Sequence, residues 1–158
     1  MKILLAVDGS PCSDIAIAEV SRLPWPGEIT VQVTTVEAPV SPPRRPGTLP
    51  TAFDEIMEQF RAEAVDRLTA AVGRLQRLAP NLRVVPRLLE GLPKDAIVAE
   101  AASWGADLIV VGSHGYGPIR RFFLGSVSLF VAHHAPCSVL IARCRPDNCP
   151  LPGVPPTN

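Results

Sequence analysis

Neither sign of charge dominates this chain: its 158 residues hold fifteen Lys and Arg against fifteen Asp and Glu, a formal net charge of zero. Proteins that wrap nucleic acid or lie on anionic lipid rely on surplus Lys and Arg, so the balance argues against both partners. Long hydrophobic runs are missing as well. No apolar stretch reaches the roughly 20 residues that cross a bilayer, and Ile3 to Val7 is too short for a signal-peptide core and runs straight into a turn. The expected location is therefore the cytoplasm, where the four cysteines, Cys12, Cys137, Cys144 and Cys149, fit as reduced thiols. Cys144 and Cys149 match no common zinc spacing. No internal repeat is visible. Two standard phosphate loops are also absent: no Walker A string occurs, and Gly115-x-Gly117 is followed by Arg120 where the dinucleotide fingerprint needs a third glycine. Any anionic ligand must then be held locally, by backbone dipoles and a few cations.

What is present suits one packed domain, with 47% hydrophobic and 19% charged residues. Lys2 to Val7 reads as a buried strand closed by the turn Asp8-Gly9-Ser10-Pro11. Ser13 or Asp14 can cap a helix running to about Leu23, and Ile29 to Val36 is a β-branched second strand. The proline-rich stretch from Pro39 to Pro50 reads as a loop. Phe53, Ile56, Met57, Phe60, Ala64, Leu68, Ala71, Leu75 and Leu78 recur every three or four positions, one apolar face of a long helix. Arg83 to Leu89 is a third strand, with Pro86 pointing to a sheet edge. A helix from about Lys94 to Ser103 leads to the apolar strand Asp107 to Val111. After a glycine-rich loop, a helix from Ser126 to about His134 and a strand from Ser138 to Ala142 complete the pattern. Residues 144–158 are proline-rich and read as a flexible tail beyond a single domain at 1–143.

Strands alternating with helices predict an α/β fold: an open, five-stranded parallel sheet, Rossmann-like, with helices on both faces. Ligands bind such sheets beyond the carboxyl ends of the strands, where the strand order reverses. Two strand ends carry ligand-like residues, Asp8-Gly9-Ser10 after the first strand and Gly112-Ser113-His114-Gly115 after the fourth. In the order 3-2-1-4-5 these strands are neighbours, so one crevice would have an acidic lip and a glycine lip. The loop GSHGYGPIRRFFLGSVS, Gly112 to Ser128, ends where Ser126 caps a helix with Val127 and Ser128 behind it. Glycines let backbone N–H groups approach a phosphate, and a helix N-terminus favours an anion. Taken alone, the loop reads first as a set of tight turns.

The spacing G-x2-G-x9-G-S at Gly112, Gly115, Gly125 and Ser126 resembles the ATP-binding branch of the universal stress protein family. The opening Ile-Leu-Leu-Ala-Val-Asp-Gly-Ser, the segment Ala-Asp-Leu-Ile-Val-Val-Gly-Ser from Ala106 and the run His134-Ala-Pro-Cys-Ser-Val-Leu are similar to it too. The likeness covers roughly residues 2 to 143. It implies a homodimer, here through the last strand, and ATP held rather than turned over. By that resemblance the binding positions are Ala6, Val7 and Asp8, then Val36, then Val111, Gly112, His114, Gly115, Gly125, Ser126, Val127 and Ser128. Leu129 departs from the family, where an acidic residue is common.

Asp8 is expected to contact ribose or a phosphate-bound Mg2+; as an Asx-turn acceptor it would only brace Gly9 and Ser10. His114 acts through its backbone or merely fills the loop, and Arg120 or Arg121 can neutralise phosphate. His133 and His134 end a helix, where imidazolium suits the dipole. The leading expectation is a stress-response or signalling module, not an enzyme, whose ATP occupancy is read by an unidentified protein partner. The alternatives are a slow ATPase or phosphotransfer enzyme using the same site, and a purely structural dimer.

Overall fold

The computed structural model describes residues 1–39, 50–115 and 124–143, with the backbone alone at 50–54. Five strands and four helices alternate: β1 (Lys2–Ala6), α1 (Pro11–Arg22), β2 (Thr30–Glu37), α2 (Pro50–Leu78), β3 (Arg83–Glu90), α3 (Pro93–Trp104), β4 (Leu108–Gly112), α4 (Ser126–His134) and β5 (Ser138–Ala142). The strands form one sheet in the order β3-β2-β1-β4-β5, and every pairing is parallel. The predicted order and class therefore hold. β3, with Pro86 in it, is an outer strand, where a missing ladder donor is tolerated.

Strand residues alternate between two cores, as a pleated sheet requires. Ile3, Leu5, Val31, Val33, Leu108 and Val110 point to one face, closed by Ala16, Ile17 and Val20 of α1 and by Leu68, Ala71 and Leu75 of α2. Leu4, Ile109 and Val111 point to the other, covered by Ile97 and Ala101 of α3 and Val131 of α4. Fully burying side chains of this size contributes roughly 1.5–3 kcal/mol each, and the apolar strand centres carry that term on both faces.

The structure corrects three local readings. The cap of α1 is Ser10, not Ser13 or Asp14: its hydroxyl accepts from the Ser13 N–H, with Pro11 opening the first turn. Pro at the first helical position loses nothing, since that N–H lacks an intrahelical partner anyway. The second correction concerns α4, whose cap is Gly125, so Ser126 is already inside the helix. The third concerns α2. Its apolar stripe is buried at Ala64, Leu68, Ala71 and Leu75, yet Ile56, Phe60 and Leu78 are exposed. Arg61 pairs with Glu90, the last residue of β3, at 3.3 Å, so the turns before it run past the end of the sheet.

Candidate functional site

The chain runs outward from β1 to β2 and β3, then returns across the sheet to β4, so a crevice opens where β1 and β4 diverge in connectivity. A cavity of about 660 Å³ lies there. Its β1 wall holds Ala6, Val7 and Asp8, and Val36 lies at the end of β2. Val111, Gly112, His114 and Gly115 supply the β4 side. Gly125, Ser126, Val127 and Ser128 bring in the start of α4. Every position named from the family spacing thus meets in one cavity. Ser13, Thr34, Pro93, Ile97 and Leu124 line it too and were not foreseen, because their approach depends on how α1, α3 and mid-β2 pack.

The two lips are tied together. Ser10 Oγ donates to the His114 carbonyl at 3.3 Å, and Gly125 N–H donates to the Ser113 carbonyl at 2.8 Å. Asp8 plays the Asx-turn role, its Oδ1 accepting from the Ser10 N–H at 2.9 Å. Its second oxygen lies against Gly115, where an added Cβ would come within 2.6 Å of Asp8 Oδ2. Gly115 therefore leaves the Asp8 carboxylate its space, and a side chain there would make that carboxylate shift.

At Gly112, Gly115 and Gly125, the described glycines of this loop, the role is space rather than backbone freedom. Positive φ among the described residues occurs only at Gly9, Gly27, Gly91 and Gly105, none of them in the loop that follows β4. A Cβ on Gly112 would fall 2.8 Å from the Cys12 carbonyl carbon, so Gly112 lets α1 pack against the end of β4. Gly125 is similarly pressed, with the Ser113 carbonyl oxygen 3.3 Å from an added Cβ. Gly117, Arg120 and Arg121 lie outside the described residues.

The two helix starts at the crevice differ in chemistry. The first turn of α1 is closed by its own hydroxyls: besides the Ser10 cap, Ser13 Oγ donates to the Ser10 carbonyl at 2.8 Å and accepts from Gly9 N–H at 3.1 Å. At α4, Gly125 offers no side-chain cap, and first-turn N–H groups have no intrahelical acceptor. Ser128 does not point at the crevice as a free donor; its hydroxyl donates to the Gly112 carbonyl at 2.7 Å and locks α4 to β4. An anion in the cavity would meet the uncapped α4 end, with its dipole behind it.

His114 Nδ1 lies 3.1 Å from Ser113 Oγ, and its buried Nε2 has no partner among the described residues. His134 Nδ1 sits 2.9 Å from the Phe130 carbonyl, and its ring stacks on Phe130 with centroids 4.0 Å apart, a packing role away from the cavity. No group of three His, Cys, Asp or Glu side chains able to hold a metal occurs among the described residues; Cys144 and Cys149 lie outside them. Burial, then the Asp107 carboxylate, push the Cys137 thiol above its ordinary range, against a backbone hydrogen bond from Ile109 that lowers it. No helix among the described residues is long and apolar enough to cross a membrane.

Fold and crevice together define an open-sheet, Rossmann-like α/β protein with its cavity at the topological switch point. The profile of the universal stress protein family matches residues 1–143, and the chain belongs to that family. A universal stress protein from Mycolicibacterium smegmatis is 32% identical over 149 residues, covering 92% of this chain and 46% of that protein. The chain spans about half the length of such curated relatives, 46% and 56% in two of them. Among solved structures, the universal stress protein UspA from Lactobacillus plantarum shares the fold with a TM-score of 0.76 at 24% identity, over 90% of this chain and 97% of that one. The universal stress protein from Archaeoglobus fulgidus, solved in complex with dAMP, matches with a TM-score of 0.55 at 26% identity, over 90% and 97%.

Proposed function

We propose that the chain binds an adenine nucleotide, ATP with Mg2+, in the crevice between β1 and β4, and that it acts as a nucleotide-dependent module rather than an enzyme. The observation that carries this reading is the cavity itself. Its size, about 660 Å³, falls within the range of roughly 300–1,000 Å³ for small-molecule sites, and it has an apolar end and a polar end. Ala6, Val36, Ile97 and Val111 line the apolar part, suited to a flat base. Gly115 and the uncapped start of α4 form the other, suited to phosphate. A nucleotide joins those two chemistries, and the Archaeoglobus relative was solved with dAMP.

Asp8 is poorly placed to meet phosphate directly, being a carboxylate at the anion end. With one oxygen in the turn and the other facing Gly115, it suits a phosphate-bound Mg2+ or a ribose hydroxyl. The sequence holds no Walker lysine and the described residues hold no cluster of three His, Cys, Asp or Glu at the cavity, so turnover is expected to fall far below the ~1–100 s⁻¹ of dedicated phosphotransfer enzymes. We further propose a cytoplasmic homodimer through β5, an outer strand, since unpaired strand edges invite pairing; sedimentation at high micromolar concentration should show a dimer.

Native mass spectrometry of the protein as purified tests the nucleotide reading. The expected spectrum contains one adenine-nucleotide mass per chain. Protein that stays bare after incubation with Mg-ATP would reject the reading.

A further inference from the structure

One polar atom stands apart on the apolar side of the cavity. Thr34 is fully buried, and its Oγ1 has no hydrogen-bond partner among the described residues. Thr35, next in the chain, points to the other face, where its hydroxyl donates to the Val7 carbonyl at 3.2 Å. The two threonines thus differ: one is satisfied within the fold, the other is not.

The register places Thr34 beside Ala6 on β1, and Ala6 beside Val111 on β4. This row forms the cavity floor, and Ile97 of α3 and Val127 of α4 also line it. Ala6 is small, and it lines the cavity beside Thr34. A buried hydroxyl without a partner destabilises a fold, and valine would match its shape without that penalty. The hydroxyl therefore contributes nothing to packing that a methyl group would not.

Its place along the crevice decides which part of a ligand it can meet. Gly115 and the start of α4 follow β4, whereas Thr34 is on β2, two strands away. At roughly 4.8 Å per strand, that separates it from the phosphate end by about 10 Å. Resting on the nucleotide reading above, we propose that Thr34 is a specificity-determining residue: its hydroxyl hydrogen-bonds the polar edge of the bound base. In a slot otherwise apolar, one such contact fixes the base's orientation and favours ligands that carry a polar group at that edge.

Binding of ATP and AMP to T34V, T34S and the unaltered full chain, with thermal melting of each, tests the assignment. T34V keeps the side-chain shape and removes the hydroxyl; it is expected to weaken binding about 5- to 10-fold, the scale of one hydrogen bond, with a melting temperature equal or higher. T34S keeps the hydroxyl and should bind within about two-fold of the unaltered chain. The loss is the same for ATP and AMP, since both carry the base. T34V binding as tightly as the unaltered chain, T34S losing as much as T34V, or a loss seen with ATP alone would each overturn the assignment while leaving the nucleotide reading intact. An unaltered chain that takes up neither nucleotide would overturn both.

Discussion

The two faces of the sheet are built from the same strands and end up with different jobs. Toward α1 and α2, the inward residues are large along the strand: Ile3 and Leu5 on β1, Val31 and Val33 on β2. Toward α3 and α4, size falls off at the carboxyl end of β1, where Leu4 gives way to Ala6. A pleated strand presents alternate residues to opposite faces, so one short sequence can close one side and leave a cavity on the other. The filled face holds the fold, and the thinned face leaves room for a ligand.

Substitutions that respect the alternation should separate these two roles. The largest effect is expected at Leu5→Ala on the closed face, a loss of about 2–5 kcal/mol in denaturant unfolding, typical of a buried leucine. Val36→Ala, on the open face, should cost less stability and weaken Mg-ATP more. Similar stability losses from the two would break the comparison.

Gly112→Ala follows. An added Cβ would press on the Cys12 backbone at 2.8 Å, and overpacking of this kind costs about 1–3 kcal/mol. Gly112 therefore belongs with the closed face although it lines the cavity, and a variant melting like the unaltered protein would contradict that. Asp8→Asn comes third. Asparagine can still accept from the Ser10 N–H, so the turn survives while the charge is lost. Mg2+-dependent ATP affinity should fall several-fold with little change in melting, and an unchanged metal dependence in titration would remove Asp8 from the ion's environment. The smallest effect is expected at Ser128→Ala, which deletes the hydroxyl bond to Gly112, a net loss of roughly 0.5–1.5 kcal/mol. A drop in affinity well beyond the drop in stability would show that Ser128 touches the ligand directly.

The sequence made some of this legible and concealed the rest. The β-branched run at 29–36 and the apolar run at 107–111 announced strands, and the strict βα alternation dictated parallel pairing and the switch point. The glycine spacing and its family resemblance pointed to the positions that line the cavity. What the spacing could not reveal was a further reason for these glycines: Gly112 accommodates a helix and Gly115 a carboxylate, relations that exist only after the chain folds. Ser10 was available as a cap, since serine before Pro11 is a helix start signal, but the Asp-Gly-Ser-Pro string reads first as a turn. The α2 periodicity defined an apolar face without revealing where the sheet beneath it ends, so it did not show that Ile56 and Phe60 on that face are exposed. Thr34, Pro93 and Ile97 join the cavity through tertiary packing alone.

The central claim is that the open face holds a nucleotide whose phosphates lie against Gly115. Calorimetric titration of Mg-ATP into the unaltered chain and into Gly115→Val tests it most directly. One site per chain is expected, with affinity at least ten-fold weaker in the variant, about 1.4 kcal/mol or more, and folding intact by melting. Equal affinity in the two proteins, or no binding to the unaltered chain, would contradict it.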